Sequence, residues 1–226
     1  MKGRSAALNL VVSLMLVLSL AACSRKVTPP PNNPPIPATP TPEVLSGTIE
    51  QWTGEAAVIR ALSYNFETNE SVVIAEGIIN NDGSFSLTLP VDEGVADALF
   101  TVDNGNFCET NTTGSNDIRS TIKVTPSSIE FANTGLFVYK SASSSEDEII
   151  GDVLVTDNNY AIAINFNYAV SDVTIKGDCI TTSSTDRYDL SFKAGWNKVM
   201  AVFNSEGRSL STEPIPETIS WSFFER

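Results

Sequence analysis

The chain of 226 residues contains no histidine, and this absence limits the chemistry that its other residues can perform. Catalytic triads built on serine or cysteine use histidine as their base, and many zinc sites use it as a ligand. The sequence also lacks a GxSxG motif, a phosphate-binding P-loop and a GxGxxG motif. We therefore predict that the protein is not an enzyme, and we assign it no catalytic residue.

One short motif has a spacing that catalysis uses. Ser120-Thr121-Ile122-Lys123 matches the Ser-x-x-Lys pattern of serine acyl-transferases, in which a helix places both side chains on one face. The β-branched residues between Ser120 and Lys123 favour a strand, which would point the two side chains to opposite faces. The companion Ser-Asp-Asn and Lys-Thr-Gly motifs are absent, so we interpret the match as a coincidence.

Acidic residues offer two further kinds of site. Any two of the 27 carboxylates could form the pair that glycoside hydrolysis needs, but the sequence does not select one. Asp82, Asp103 and Asp157 lie in turns and carry the hard oxygens that calcium prefers, although none begins a twelve-residue calcium loop. Turn formation alone explains these residues. We predict no cofactor and no metal ligand, with calcium as the alternative.

Aromatic residues could bind a ligand by stacking. Trp52, Trp196 and Trp221 are the three tryptophans, and such rings stack on sugars or on protein partners. Trp196 follows a glycine and precedes a predicted core strand, so we expect it to be half-buried. We retain Trp52 and Trp196 as candidate surface-binding residues.

The N-terminus has the pattern of a secretory signal peptide. Lys2 and Arg4 precede an almost wholly apolar run over residues 6–22, which ends in small residues. The run of 17 residues is shorter than the roughly 20 that a spanning helix needs. We predict that residues 1–22 are a signal peptide.

The end of this run, Leu20-Ala21-Ala22-Cys23, resembles the lipobox of bacterial lipoproteins. The resemblance implies that Leu20, Ala21 and Ala22 are recognised by a signal peptidase and that Cys23 is lipidated and becomes the first mature residue. A membrane is then a partner, through the lipid on Cys23. Since Ser24 rather than aspartate follows, an outer-membrane location is allowed if the cell has one. An ordinary signal peptide with a chance cysteine is the alternative.

The lipobox resemblance also has a consequence for the other cysteines. If Cys23 carries lipid, Cys108 and Cys179 remain, in a compartment that permits disulfides. We predict a Cys108–Cys179 disulfide, and two separate buried thiols are the alternative.

The charge of the chain excludes one class of partner. The formal net charge is −13, and it becomes −15 when Lys2 and Arg4 leave with the signal peptide. Nucleic-acid binding needs clustered lysine and arginine to replace counterions. We therefore predict no nucleic-acid partner.

Composition divides the mature chain into a linker and a folded region. Eight prolines lie between residues 24 and 44, and such a segment favours an extended polyproline-type stalk over helix or sheet. A ligand for a proline-binding module is the alternative. We predict a flexible linker over residues 23–45 and a β region over 46–226, with an internal boundary near 104–118.

The folded region has the pattern of short strands separated by turns. In the clearest case, NDG at residues 81–83 precedes Phe85, Leu87 and Leu89, which alternate with polar residues as in a hairpin with one buried face. Only Val91–Phe100 and Ser127–Asn133 favour short helical turns. The pattern is typical of a sandwich or barrel. We predict an all-β fold, an antiparallel β-sandwich built as one interlocked unit or two tightly packed halves.

Several phrases of the sequence form a set found together elsewhere. They are the lipobox with its proline-rich spacer, Gly47-Thr48-Ile49 with Trp52-Thr53-Gly54, DGSFSLTLP at 82–90, Tyr168-Ala169 with Lys176-Gly177, and Tyr188-Asp189-Leu190 with Gly195-Trp196-Asn197. With these phrases the chain resembles a loosely defined group of bacterial envelope lipoproteins of the Deinococcus type, and the resemblance implies no activity. The DGSFSL segment alone also resembles carboxypeptidase-regulatory and transthyretin-like β-sandwich modules.

These observations predict a lipid-anchored protein of the bacterial cell envelope, facing outside the cytoplasm, with a non-catalytic binding or structural role. A carbohydrate- or calcium-dependent adhesion module is the first alternative, and an acid-pair glycan hydrolase is the second. An envelope glycan or protein is the expected kind of partner, and its identity stays open.

Overall fold

The computed structural model describes residues 39–65, 67–108, 118–140, 148–157 and 159–226, which fall within one compact unit. The predicted signal peptide, Cys23 and most of the proline-rich linker lie outside the described residues. Within these ranges no helix has the length and apolar character needed to cross a bilayer.

The strands are β1 (Glu43–Glu50), β2 (Ala57–Asn65), β3 (Glu70–Ile79), β4 (Ser84–Leu89), β5 (Phe100–Asp103), β6 (Arg119–Ser120), β7 (Lys123–Thr125), β8 (Ser128–Tyr139), β9 (Ile149–Thr156), β10 (Ile162–Ala169), β11 (Val173–Ile180), β12 (Thr185–Phe192), β13 (Gly195–Asn204), β14 (Gly207–Ser211) and β15 (Ser220–Glu225).

Eight of these strands close into a barrel. Successive pairs join β8, β2, β3, β4, β1, β15, β9 and β10, and β10 pairs again with β8. The step from β1 to β15 is parallel, and it joins residues about 170 positions apart in the sequence. The predicted all-β class is confirmed. The predicted sandwich is not confirmed, because these strands form a closed ring.

The β3–β4 hairpin shows how the barrel is filled. Phe85, Leu87 and Leu89 are buried on the inner face, as their alternation predicts. The connecting turn places Gly83 at a φ of 80°, a conformation that glycine adopts without strain. The Asp82 carboxylate accepts hydrogen bonds from the backbone N–H and the hydroxyl of Ser84, and these bonds lower the pKa of Asp82.

A second hydrophobic core lies beside the barrel. The sheet continues from β10 through β13, β14, β12 and β11, while β5 pairs with the first half of β8. Between these strands pack the rings of Phe131 and Phe192, stacked with centroids 5.7 Å apart, and those of Phe107 and Tyr188, which meet edge to face at 4.9 Å.

Strand β10 separates the two cores. Ile164, Phe166 and Tyr168 face the barrel core, whereas Ala169 packs in the second core. The four residues from Phe166 to Ala169 are consecutive and all at most 5% exposed, which requires that both faces of the strand are covered. The two halves of the fold therefore share a strand.

The predicted disulfide is confirmed. Cys108 and Cys179 are bonded, with Cα atoms 5.5 Å apart, and both are buried in the second core. The bond ties the segment after β5 to β11 across a sequence separation of 71 residues. The predicted boundary near 104–118 mostly lies outside the described residues.

Two other expectations differ from the structure. The predicted short helical turn over Ser127–Asn133 is wrong, because β8 begins at Ser128 and pairs with β5 and β10 on its two edges. Pairing on both edges overrides a weak local preference. The first strand begins at Glu43, before the predicted start of the β region at residue 46.

The turns expected over Val91–Phe100 are present as 3-10 turns at Asp92–Gly94 and Ala96–Ala98.

Candidate functional site

A groove opens in the barrel wall where β1 separates from β15. Strand β1 pairs with β4 along Glu43–Thr48, but it meets β15 only at Ile49 and Glu50. Beside the unpaired part of β1 lie two adjoining spaces of about 480 and 240 Å³, which share Phe166, Lys198 and Ile215 as lining residues. We call this continuous space the β1 groove.

Trp196 forms one wall of the β1 groove. Its indole N–H donates a hydrogen bond to the carbonyl of Pro90 at 2.6 Å, and its ring meets Tyr168 edge to face at 5.4 Å. The Tyr168 hydroxyl in turn accepts a hydrogen bond from the backbone N–H of Asp92 at 3.2 Å. These contacts hold the half-buried Trp196 ring in one orientation, as a preorganised binding surface requires.

Two further rings lie deeper in the β1 groove. Trp221 stacks on Phe166 with centroids 6.1 Å apart and packs edge to face on Phe85 at 4.9 Å. A Cβ atom at Gly47 would lie 2.5 Å from the Trp221 ring, so the glycine leaves the space that the indole occupies. The groove therefore combines three fixed aromatic rings.

Charged and hydroxyl groups surround these rings. Lys198 is the cross-strand partner of Phe166, and its ammonium group binds the Glu43 carboxylate at 2.8 Å. Glu213 is exposed, and the Thr212 hydroxyl accepts a hydrogen bond from the Ser191 backbone N–H at 3.1 Å. The rim thus presents both signs of charge together with hydroxyl groups.

The turn that positions Trp196 is fixed by an exposed ion pair. Lys193 donates to Asp172 at 2.6 Å, and this hydrogen bond, with another from the Ala194 backbone N–H, lowers the pKa of Asp172. The Asn197 carboxamide bridges the same turn, donating to the carbonyls of Lys193 and Gly195. These hydrogen bonds fix the backbone at the start of β13, where Trp196 lines the groove.

The two tryptophans predicted as binding residues lie far apart. Trp52 packs against Phe223 edge to face at 5.1 Å and against Gly83, beyond the end of β1, whereas Trp196 lines the groove beside Glu43 at its start. The seven residue steps of β1 correspond to roughly 23 Å. Trp52 has its indole N–H buried without an acceptor in the described residues, and its ring packs partly buried against the barrel core.

The structure also shows where the other candidates from the sequence lie. Ser120 lies in β6 and Lys123 in β7, both exposed, and the Ser120 hydroxyl accepts a hydrogen bond from the Ile122 backbone. Asp103 and Asp157 accept hydrogen bonds from backbone N–H groups of their own turns. In the described ranges no three histidine, cysteine, aspartate or glutamate side chains come together as metal ligands would.

Two carboxylates, Glu43 and Glu213, line the β1 groove. Glu43 is engaged by Lys198, and Glu213 is exposed to solvent.

The sequence did not indicate most of the groove residues. Phe166, Lys198 and Trp221 come from three strands, and only the register of pairing brings them together. A second space, in the other core, was missed for the same reason. It is lined by Tyr188 and Arg208, and Arg208 binds Asp186 at 2.8 Å.

Tyr188 has the clearest change of acidity in this second space. Burial raises the pKa of its hydroxyl from 10.0 to about 12, against the opposing effect of the Arg208 guanidinium, while the Asp186 carboxylate adds to the increase. Tyr188 is therefore a neutral phenol throughout the physiological range.

This raised pKa predicts an alkaline loss of stability. Above pH 10 the unfolded chain releases the Tyr188 proton while the folded chain keeps it. The contribution of Tyr188 to the free energy of unfolding is therefore fully present below pH 10, and it is lost as the pH rises to about 12. We expect a loss of about 2 to 3 kcal/mol over this range. Denaturant unfolding of the wild type and Tyr188→Phe measures it: the variant should lack this component. Identical pH profiles for the two proteins would contradict the assignment.

Comparisons with known proteins identified no relative of this chain. No protein-family model, no curated protein and no solved structure matches the chain. The resemblance to envelope lipoproteins stays a prediction from the sequence, and the β1 groove must be interpreted from its own chemistry.

Proposed function

We propose that the protein is a lipid-anchored protein of the bacterial cell envelope that displays a non-catalytic, all-β binding domain outside the cytoplasm. The signal-peptide pattern and the Leu20-Ala21-Ala22-Cys23 lipobox support the anchor. One acyl chain gives marginal membrane binding, whereas two or three hold a protein almost permanently. By the same lipobox rule, the outer membrane is the proposed location if the cell has one.

The confirmed disulfide is the observation that best supports this location. Disulfides form and persist outside the cytoplasm, where thiols are not kept reduced. Cys108 and Cys179 are bonded inside the second core, so the bond belongs to the folded state. Between Cys23 and Glu43 lie 20 residue steps, which at about 3.1 Å each could reach roughly 60 Å as an extended stalk.

A saccharide is the proposed ligand of the β1 groove. Aromatic faces such as those of Trp196 and Trp221 pack on the apolar C–H faces of sugar rings. Lys198, Glu213 and Thr212 can then exchange hydrogen bonds with sugar hydroxyls at the rim. This combination favours the carbohydrate-binding alternative over a purely structural role.

We also propose a sandwich-like arrangement for the second core alone. The stacked rings of Phe131 and Phe192 come from β8 and β12, which are not neighbours in the sheet. Contact between such strands through their side chains is how two layers of a sandwich pack.

The anchor is tested by changing its cysteine. In a bacterial host, the wild-type protein should start at an acylated Cys23 and leave the membrane fraction only with detergent. Cys23→Ser should lack the lipid, and its signal peptide should stay uncleaved. The Cys108→Ser, Cys179→Ser double variant is the control, and it should keep the lipid. Mass spectrometry of the N-terminal peptide decides the matter: a wild-type protein with a free Cys23 thiol would contradict the proposal.

The groove is tested by removing its ammonium group. A glycan array identifies a bound saccharide, and Lys198→Ala should then bind it about ten-fold or more weakly in a titration. Its thermal midpoint should hardly change, because an ion pair with about half-exposed groups contributes little stability.

Lys176→Ala provides the matched control for this measurement. It removes the ion pair between Lys176 and Asp189, which are 2.7 Å apart on β11 and β12, and neither residue lines the groove. The control should bind like the wild type. An array without bound saccharide, or equal affinities for both variants and the wild type, would contradict saccharide binding in the groove while leaving the anchor in place.

A further inference from the structure

Three asparagines line a small cavity in the second core. The cavity has a volume of about 120 Å³, and Asn133, Asn165 and Asn167 contribute to its wall together with the Tyr188 and Arg208 side chains. We call it the asparagine cavity. The rest of the wall is apolar, and it is formed by Phe107, Phe131, Leu190, Phe192, Val199 and Leu210.

The strand register places these carboxamides in one region. Asn167 of β10 lies directly opposite Asn133 of β8, and Asn165 is on the same face of β10, two residues away. Asn133 is exposed, Asn165 is half-buried and Asn167 is only 5% exposed. The exposure of the three residues therefore decreases from Asn133, through Asn165, to Asn167.

These side chains are not used to hold the fold together. No side-chain hydrogen bond joins Asn133, Asn165 or Asn167 to another residue in the described part of the chain. Polar atoms that are fully enclosed and lack a partner occur elsewhere in the described residues, but the Asn167 carboxamide is not one of them. Its polar atoms are therefore accessible, and they face the open space of the cavity. A buried amide without a partner is unfavourable, and its donor and acceptor sites need an occupant of the cavity.

The charge of the cavity indicates a neutral occupant. Arg208 is its cation, and the Asp186 carboxylate binds the guanidinium Nε at 2.8 Å and balances its charge. The polar groups that are open to the cavity besides Arg208 are the carboxamides, each with donors and an acceptor, because the Tyr188 hydroxyl oxygen is sealed off. Hydroxyl groups also donate and accept, so they match carboxamides better than a carboxylate or an ammonium group does.

The size of the cavity limits that occupant. At roughly 30 Å³ per water molecule, about 120 Å³ corresponds to about four waters, close to the bulk of a polyol with three or four carbons. We propose that the asparagine cavity binds a short, neutral polyol, either free or as the polyol end of a larger envelope glycoconjugate. This site is separate from the β1 groove, and it does not depend on the function proposed for that groove.

Nuclear magnetic resonance of the asparagine side-chain amides tests the proposal. Titration of the disulfide-bonded protein with glycerol and with erythritol should give saturable shifts of the Asn133, Asn165 and Asn167 NH₂ signals. Acetate and 1-propanol are the comparison ligands, and they should not saturate these shifts. A glycerol-capped glycoconjugate added in a second arm should compete if the polyol end is the recognised group.

Asn167→Leu is the decisive variant, because it keeps the approximate bulk of the side chain while removing its polar atoms. It should fold and bind erythritol at least about ten-fold more weakly. Asn165→Leu, at the half-buried position, repeats the test if Asn167→Leu does not fold. Asn159→Leu makes the same change on an exposed turn, and it should bind like the wild type.

Three outcomes would overturn the proposal. The first is the absence of saturable shifts with either polyol in the wild type, which would show a cavity that holds only water. The second is equal saturation by acetate, which would show a site for anions. The third is unchanged polyol affinity in Asn167→Leu or Asn165→Leu, which would place the binding elsewhere.

Discussion

The burial of β10 on both faces is the constraint on which the rest of the structure depends. Phe166 and Tyr168 complete the barrel core, while Asn165, Asn167 and Ala169 face the second core. Because β8 and β13 pair on either side of it, the strand has neither a free face nor a free edge along Phe166–Ala169. Loss of either core would expose one whole face of β10, so neither core is complete without the other.

This arrangement also places the two spaces that we propose as binding sites on opposite faces of one strand. Phe166 lines the β1 groove, and its neighbours Asn165 and Asn167 line the asparagine cavity. The groove is open, aromatic and charged at its rim, whereas the cavity is small and neutral. A rigid strand with covered faces holds both sets of side chains in place, and binding residues need such support. The lipid anchor that we propose would present both spaces to ligands outside the cytoplasm.

Local patterns in the sequence predicted part of this architecture. The NDG turn and the alternation of Phe85, Leu87 and Leu89 sufficed for the hairpin, because both depend on neighbouring residues. Closure of the barrel could not be predicted, since the β1–β15 pairing joins distant segments. The alternation in Asn165-Phe166-Asn167-Tyr168 is typical of a strand with its asparagines in solvent. The structure instead covers that face with the second core, which turns Asn167 into a buried side chain.

Native-state hydrogen exchange, followed by mass spectrometry, tests the shared strand most directly, because it measures the opening free energy of each segment. If β10 unites the two cores, peptides from β2 in the barrel and from β12 in the second core should open together with β10, at one common free energy. The contrary result would be exchange of β11 and β12 at a clearly lower opening free energy while β10 stays as protected as β2. That result would show that the second core can unfold alone and that β10 does not require it.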